Sequence, residues 1–133
     1  MKHLCMNCEK ADMVRDTRDV TVDAHGFSTV VPKIKGWFCP NCGEMEFVGK
    51  GDGERYDQAL RALAEDESRF LGQARRRLKL SQKQAAEIAG GGVNAFSRYE
   101  RGVARPVAAV TNLFRLLDKH PELLKELPKT AEA

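Results

Sequence analysis

Ser-Gln-Lys-Gln-Ala-Ala-Glu-Ile-Ala-Gly-Gly-Gly-Val-Asn-Ala-Phe-Ser-Arg-Tyr-Glu-Arg-Gly, running from Ser81 to Gly102, is the stretch that decides the fold. Ser81 followed three residues later by Gln84 has the form of a capping box and marks a helix start. Ala85, Ala86, Ile88 and Ala89 then give a short helix a small apolar face. The run Gly90-Gly91-Gly92 can take positive φ without steric cost, as a tight interhelical turn requires. A second short helix follows, with Val93, Phe96 and Tyr99 recurring every three residues and expected to face the core. Asn94, Arg98 and Arg101 then share the opposite face, and Gly102 stops the helix. This is the layout of a helix-turn-helix, whose second helix enters the DNA major groove.

The chemistry of that second face fits the reading. Asn pairs in bidentate fashion with an adenine edge and Arg with a guanine edge. Asn94 and Arg98 are therefore the candidate base readers, with Gln82, Ser97 and Arg101 as further DNA contacts. Glu100 lies nearer the inner face and is expected to pair with a nearby Arg.

The chain has 133 residues, 42% hydrophobic and 31% charged, enough for one ordinary domain or two small ones. The formal charge of +3 hides a division. Residues 1–66 carry 9 Lys/Arg against 12 Asp/Glu, whereas residues 67–133 carry 13 against 7. The basic half holds the helix-turn-helix, where phosphate attraction needs positive charge. The acidic half suits a basic partner. The apolar runs are too short to span a membrane, and no signal-peptide core stands at the N-terminus, so a cytoplasmic protein is expected.

All four cysteines lie in the acidic half, as Cys5-Met-Asn-Cys8 and Cys39-Pro-Asn-Cys42. Two Cys-x-x-Cys knuckles are the usual frame of a tetrahedral zinc site, and four thiolates leave no open position for catalysis. One structural zinc is therefore expected, and no enzymatic activity. Disulfides disagree with a reducing compartment. A redox Cys-x-x-Cys would stand beside a βαβ pattern that is absent here. An iron–sulfur cluster uses the same four thiolates and is the alternative metal reading. His3, His25 and His120 are expected as ordinary surface residues.

The gap between the knuckles reads as strands. Asp19 to Asp23 alternates apolar and polar residues, His25-Gly26 can turn the chain, and Phe27 to Phe38 is rich in β-branched and aromatic residues. Pro32 calls for a sheet edge or a bulge. Gly49-Lys-Gly-Asp-Gly53 reads as a flexible domain boundary, dividing residues 1–66 from 67–133. Helices are expected over Glu54–Glu67 and Glu67–Leu80, the second containing Arg75-Arg76-Arg77. That basic run is either a solvated face or a phosphate contact. Pro106 suits the first turn of a last long helix reaching Lys119. Val107, Val110, Leu113, Phe114 and Leu117 line it, followed by Leu123, Leu124 and Leu127. This apolar face is core, a symmetric dimer contact, or both. The fold class is thus α+β: a small β-containing zinc domain, then an all-α helix-turn-helix domain.

The two knuckles, the segment Gly90 to Gly102, and Leu-Leu-Asp-Lys-His-Pro-Glu-Leu-Leu from Leu116 to Leu124 together resemble the MqsA antitoxin family. The helix-turn-helix is also similar to the Cro/repressor (XRE) class, although Ala85 and Ala89 stand where that class often has larger residues. The resemblance implies an antitoxin of a type II toxin–antitoxin system. Its zinc domain would neutralise a ribonuclease toxin, and its C-terminal domain would dimerise and repress the operon at a palindrome in double-stranded DNA. By motif, Cys5, Cys8, Cys39 and Cys42 match the zinc ligands, and Asn94 and Arg98 the base-reading pair. A zinc-containing regulator without a toxin is the alternative. A thiol–disulfide oxidoreductase is the competing reading from another class.

Overall fold

The computed structural model describes residues 2–128. The tail from Lys129 to Ala133 lies outside the described residues. The chain divides into two units. One comprises the N-terminal segment to Ala24 with Ser28–Ala62, and the other His25–Phe27 with the chain from Leu63 onward.

The first unit is built on a three-stranded sheet in the order β1 (Val14–Ala24), β2 (Phe27–Phe38), β3 (Met45–Phe47). His25 and Gly26, with φ of 53° and 87°, join β1 to β2 in the left-handed conformation that a two-residue hairpin turn needs. Along β2 the buried residues are Val31, then Ile34, Gly36 and Phe38. Period-two alternation therefore slips by one residue between Val31 and Ile34. Pro32 and Lys33 absorb the slip as a bulge, with Lys33 at φ 55° and its N–H bonded to Asp19 Oδ1 at 2.9 Å. The short strand β3, which the cysteine-knuckle spacing did not announce, pairs antiparallel with β2 through Gly36 and Phe47, Trp37 and Glu46, Phe38 and Met45. Gly36 is required there: a Cβ would stand 2.3 Å from the Glu46 carbonyl oxygen.

Helix α1 (Lys50–Arg77) contradicts two expectations. The glycine-rich segment expected as a flexible break is its first turn, and the two expected helices are one. Tertiary anchoring overrides the low helix propensity of Gly51 and Gly53. Asp52 accepts the Lys35 N–H at 2.8 Å and an Arg55 N–H at 3.0 Å, while Arg55 also donates to the Pro32 carbonyl. Gly53 lies against the Phe47 ring, which packs edge-on to Tyr56 at 5.5 Å.

The second unit gathers residues 63–77 of α1 with α2 (Gln82–Ala89), α3 (Ala95–Glu100), α4 (Ala108–Lys119) and a closing 3₁₀ turn, Pro121–Glu126. Its core holds Leu71, Leu78, Ala85, Ala86, Ala95, Phe96, Val110, Phe114 and Leu117. The small residues Ala85, Ala86 and Ala95 let α2 and α3 approach closely. Phe96 fills the centre, 4.8 Å from the Phe114 ring. The Ser81 capping box is present in full, and Gly90, Gly91, Gly92 and Gly102 all have positive φ.

One valine departs from expectation. Val93, assigned to the core by helical spacing, is 59% exposed. Val107, on the apolar face read as core or dimer contact, is 68% exposed and so is not core in the single chain. Each precedes its helix: α3 begins at Ala95 and α4 at Ala108, with Pro106 two residues ahead of α4 instead of in its first turn. Helical periodicity does not extend past the cap, so spacing carried upstream of the helix start misplaces Val93. Leu124 and Leu127 pack on the core, whereas Leu116 and Leu123 remain exposed.

Candidate metal centre and nucleic-acid interface

The two knuckles are built alike. In the first, Glu9 N–H bonds the Cys5 carbonyl at 2.9 Å; in the second, Gly43 N–H bonds the Cys39 carbonyl at 3.0 Å. Both residues have positive φ, 56° for Glu9 and 80° for Gly43. Gly43 announces this turn by its identity. Glu9 does not, because a non-glycine residue seldom adopts that conformation.

The folded knuckles bring the Sγ atoms of Cys5, Cys8, Cys39 and Cys42 within 4.8 Å of one another. Cys5 and Cys42 approach to 3.6 Å, Cys8 and Cys39 to 3.7 Å. An ion bound at about 2.3 Å from four sulfurs sets a tetrahedral edge of about 3.8 Å. The donor set fits a tetrahedral metal ion. Cys5 and Cys39 are buried, Cys8 half-buried and Cys42 exposed, with Met13, Ala11 and Trp37 packed around them.

Polar neighbours favour the anionic state at Cys8 and Cys42. Cys8 is held down to about 6, first by the Asn41 side chain and then by the Lys10 N–H. Cys42 is lowered by Asn7, whose amide donates to its sulfur at 3.6 Å, and by the Glu44 N–H. For Cys5 the Cys8 N–H favours the thiolate, but burial and the adjacent sulfurs outweigh it and push the thiol up to about 11. Four sulfurs this close cannot all ionise without a compensating cation. Nearby, His3 stacks on Trp37 at 4.1 Å and pairs with Glu46 at 2.8 Å, so it is fixed by contacts instead of lying free on the surface.

In the second unit, α3 presents Asn94 and Arg98 outward. Asn94 is exposed at the N-cap and makes no side-chain cap bond, although Asn readily caps helices. Arg98 is exposed, and among the described residues its guanidinium has no hydrogen bond or ion-pair partner. Arg101 is also exposed and folds back toward Ser97, its Nε 3.3 Å from the Ser97 carbonyl and Oγ. Gln82 is half-buried, its amide donating to Glu100 at 3.3 Å.

The Arg75-Arg76-Arg77 run divides among three roles. Arg75 grips Glu100 with two hydrogen bonds and also donates to the Leu80 carbonyl at 3.0 Å. Arg77 pairs with Asp118 through bonds of 2.7 and 2.8 Å, which lowers the Asp118 pKa. Arg76 and Arg77 both keep the exposed position expected of the run, while Arg75 is largely withdrawn from water. Only Arg75 departs from the expected solvated face, because successive residues of a helix point in different directions.

Sequence reasoning also missed Glu67, which it placed at a helix junction. It is 1% exposed in the middle of α1. Its carboxylate accepts from His25 Nδ1 at 2.6 Å, from Arg105 at 3.1 Å and from the Thr111 hydroxyl. His25 is therefore an internal partner, not an ordinary surface residue. Its carbonyl also accepts from Arg115 at 2.6 Å, and the Arg115 guanidinium lies 5.3 Å from the Phe27 ring centre. The one sequence signal was an acid set within the apolar stripe of Leu63, Phe70 and Leu71.

Among the described residues no helix is long and apolar enough to cross a membrane. Residues 1–128 match the family described as the antitoxin component of a bacterial toxin–antitoxin system, MqsA. The curated relative "Antitoxin MqsA" of Escherichia coli (strain K12) is 40% identical over 129 residues, covering 92% of this chain and 98% of the relative. A solved structure of the N-terminal domain of the E. coli protein MqsA aligns at 25% identity and a TM-score of 0.37. It covers 44% of this chain and 87% of that one. The clustered knuckles, the capped α2 and the glycine turn before α3 thus belong to a protein matched along nearly its whole described length: the chain is a member of the MqsA antitoxin family.

Proposed function

We propose that this antitoxin neutralises a basic ribonuclease toxin through its acidic, cysteine-bearing N-terminal domain and represses its own operon by sequence-specific DNA binding through the helix-turn-helix domain. The observation that carries the DNA reading is the exposed pair Asn94 and Arg98, at the N-cap and on the outer face of α3. Their side chains have no partner among the described residues, while α2 is capped by Ser81 and Glu100 is clamped by Arg75. Arg98 would donate two hydrogen bonds to a guanine and Asn94 would pair with an adenine. Gln82, Ser97 and Arg101 would add contacts to the backbone or neighbouring bases. A homodimer formed through the C-terminal domain would place two copies of α3 in major grooves about 34 Å apart on a palindromic operator.

Zinc is the ion proposed for Cys5, Cys8, Cys39 and Cys42. Bound there, it supplies charge compensation and a covalent-strength cross-link between the two knuckles, not catalysis. The reading of a basic partner rests on the net negative charge of residues 1–66. Such a partner is expected in the reducing interior of the cell, where the thiols stay available to the metal.

The test has two arms. A mobility-shift competition at fixed salt should favour DNA from upstream of the protein's own gene over a scrambled duplex. Co-expression with the neighbouring gene should yield a small basic protein that co-purifies and whose RNA cleavage is suppressed. DNA preference without a co-purifying protein would instead favour a stand-alone regulator.

A further inference from the structure

Val93 is an apolar side chain in an unusual place. It is 59% exposed, it follows three glycines with φ between 85° and 96°, and it immediately precedes Asn94 at the start of α3. A single exposed valine on a protein surface needs no explanation. This one stands at the end of α3 where recognition helices touch base edges. A Cβ built on Gly92 or Gly90 would meet no atom within 4 Å, so the outer side of the turn is open to an approaching duplex. At Gly91, in contrast, a Cβ would crowd Ala95 and the Tyr99 hydroxyl at 3.3 and 3.4 Å, so the inner side of the turn faces α3. The turn thus holds Val93 outward without covering it.

From this, and resting on the DNA-binding function proposed above, we propose that Val93 reads a thymine methyl group in the operator, at a base pair beside the one read by Asn94. The major-groove edge of thymine carries an exposed C5-methyl, the one apolar feature of the four base pairs, and small apolar side chains recognise it by contact. A β-branched side chain holds few rotamers, so it offers its methyls with little loss of conformational freedom. Asn94 and Arg98 read by hydrogen bonding; Val93 adds a contact that hydrogen bonding cannot supply. Both groups are exposed to water before binding and shielded afterwards, which makes the contact favourable.

The experiment replaces thymine by deoxyuridine, one position at a time, in a duplex from upstream of the protein's gene. That change removes a methyl and keeps every hydrogen-bonding group. One position per half-site should cost the full-length protein about fourfold in affinity, the value expected for one methyl-sized group taken from water. Val93→Ala should lose a similar factor per half-site on the thymine duplex and lose nothing further with deoxyuridine, whereas Asn94→Ala should keep the methyl sensitivity. Val93→Ser, polar and small, should behave like Val93→Ala; circular dichroism of both variants checks that the helices are kept. An unchanged thymine-over-deoxyuridine preference in both Val93 variants overturns the proposal, as does insensitivity of the parent protein at every thymine. Failure of the parent to distinguish upstream DNA from a scrambled duplex is a separate result, which removes the DNA-binding function itself.

Discussion

Arg75 and Glu100, 25 residues apart in the chain, meet through two parallel hydrogen bonds, 2.6 Å from Nε and 3.0 Å from Nη2 to the two carboxylate oxygens. Both side chains are largely withdrawn from water, at 14% and 12% exposure. Because Arg75 also holds the Leu80 carbonyl and Glu100 also receives Gln82, this pair ties the end of α1, the entry to α2 and the end of α3 to one another. The orientation of the helix that carries Arg98 therefore depends on Arg75.

Arg75→Ala should destabilise the helical unit by about 2–4 kcal/mol, because it leaves the Glu100 carboxylate without its main partner in a poorly hydrated site. Arg75→Lys should recover little of the loss, since an ammonium cannot match both carboxylate oxygens at once. Thermal unfolding followed at 222 nm measures both. A loss within about 0.5 kcal/mol for Arg75→Ala would show that the pair is no better than a surface ion pair.

Glu67 sets an acid limit on stability. Burial opposes its ionisation, but the hydrogen bonds from Thr111, His25 and Arg105 outweigh burial and hold the pKa below its ordinary 4.5. A carboxylate whose pKa is lower folded than unfolded contributes its full stabilisation above about 4.5 and loses it as pH falls through the folded value. Urea midpoints of the parent should therefore decline below about pH 4.5. Glu67→Gln should lower the midpoint at neutral pH and flatten that decline. An equally steep decline in the variant would assign the acid sensitivity to other carboxylates.

Metal removal should act on the cysteine-bearing unit. A strong chelator, or Cys39→Ser, should release about one equivalent of zinc and abolish amide-exchange protection at the Cys5 and Cys39 knuckle turns. Protection at Phe96 and Phe114 should persist, because their core contains no metal ligand. Elemental analysis with exchange measurements decides it, and retained metal in Cys39→Ser would remove Cys39 from the ligand set.

Arg98→Ala should cost about 1–3 kcal/mol per half-site on the cognate operator and much less on non-specific DNA. Asn94→Ala should do the same at an adenine. Competition between cognate and scrambled duplexes at one salt concentration separates base reading from phosphate contact. Equal loss on both duplexes would make Arg98 a phosphate clamp.

Much of the fold and part of the candidate sites are legible in the sequence because their causes are local. The Ser81–Gln84 capping box, the positive-φ glycines at 90–92 and 102 and the hairpin at His25-Gly26 each depend on interactions within about four residues, and each is read from residue type alone. The two Cys-x-x-Cys knuckles belong to the same class, although their meeting within 4.8 Å requires the sheet between them. Where local rules were carried past a helix cap, at Val93, they placed a valine in a core it does not enter.

Only tertiary structure decided the rest. Whether Arg75 faces Glu100 or solvent, and whether His25 is a surface residue or a partner of Glu67 42 positions away, depends on which distant groups the fold desolvates together. The same holds for the glycine-rich start of α1, helical because Asp52 and Arg55 are anchored to residues of β2. Short-range hydrogen-bonding patterns are written in consecutive residues. A buried ion pair is not, because burial is a property of the packed molecule and not of the chain.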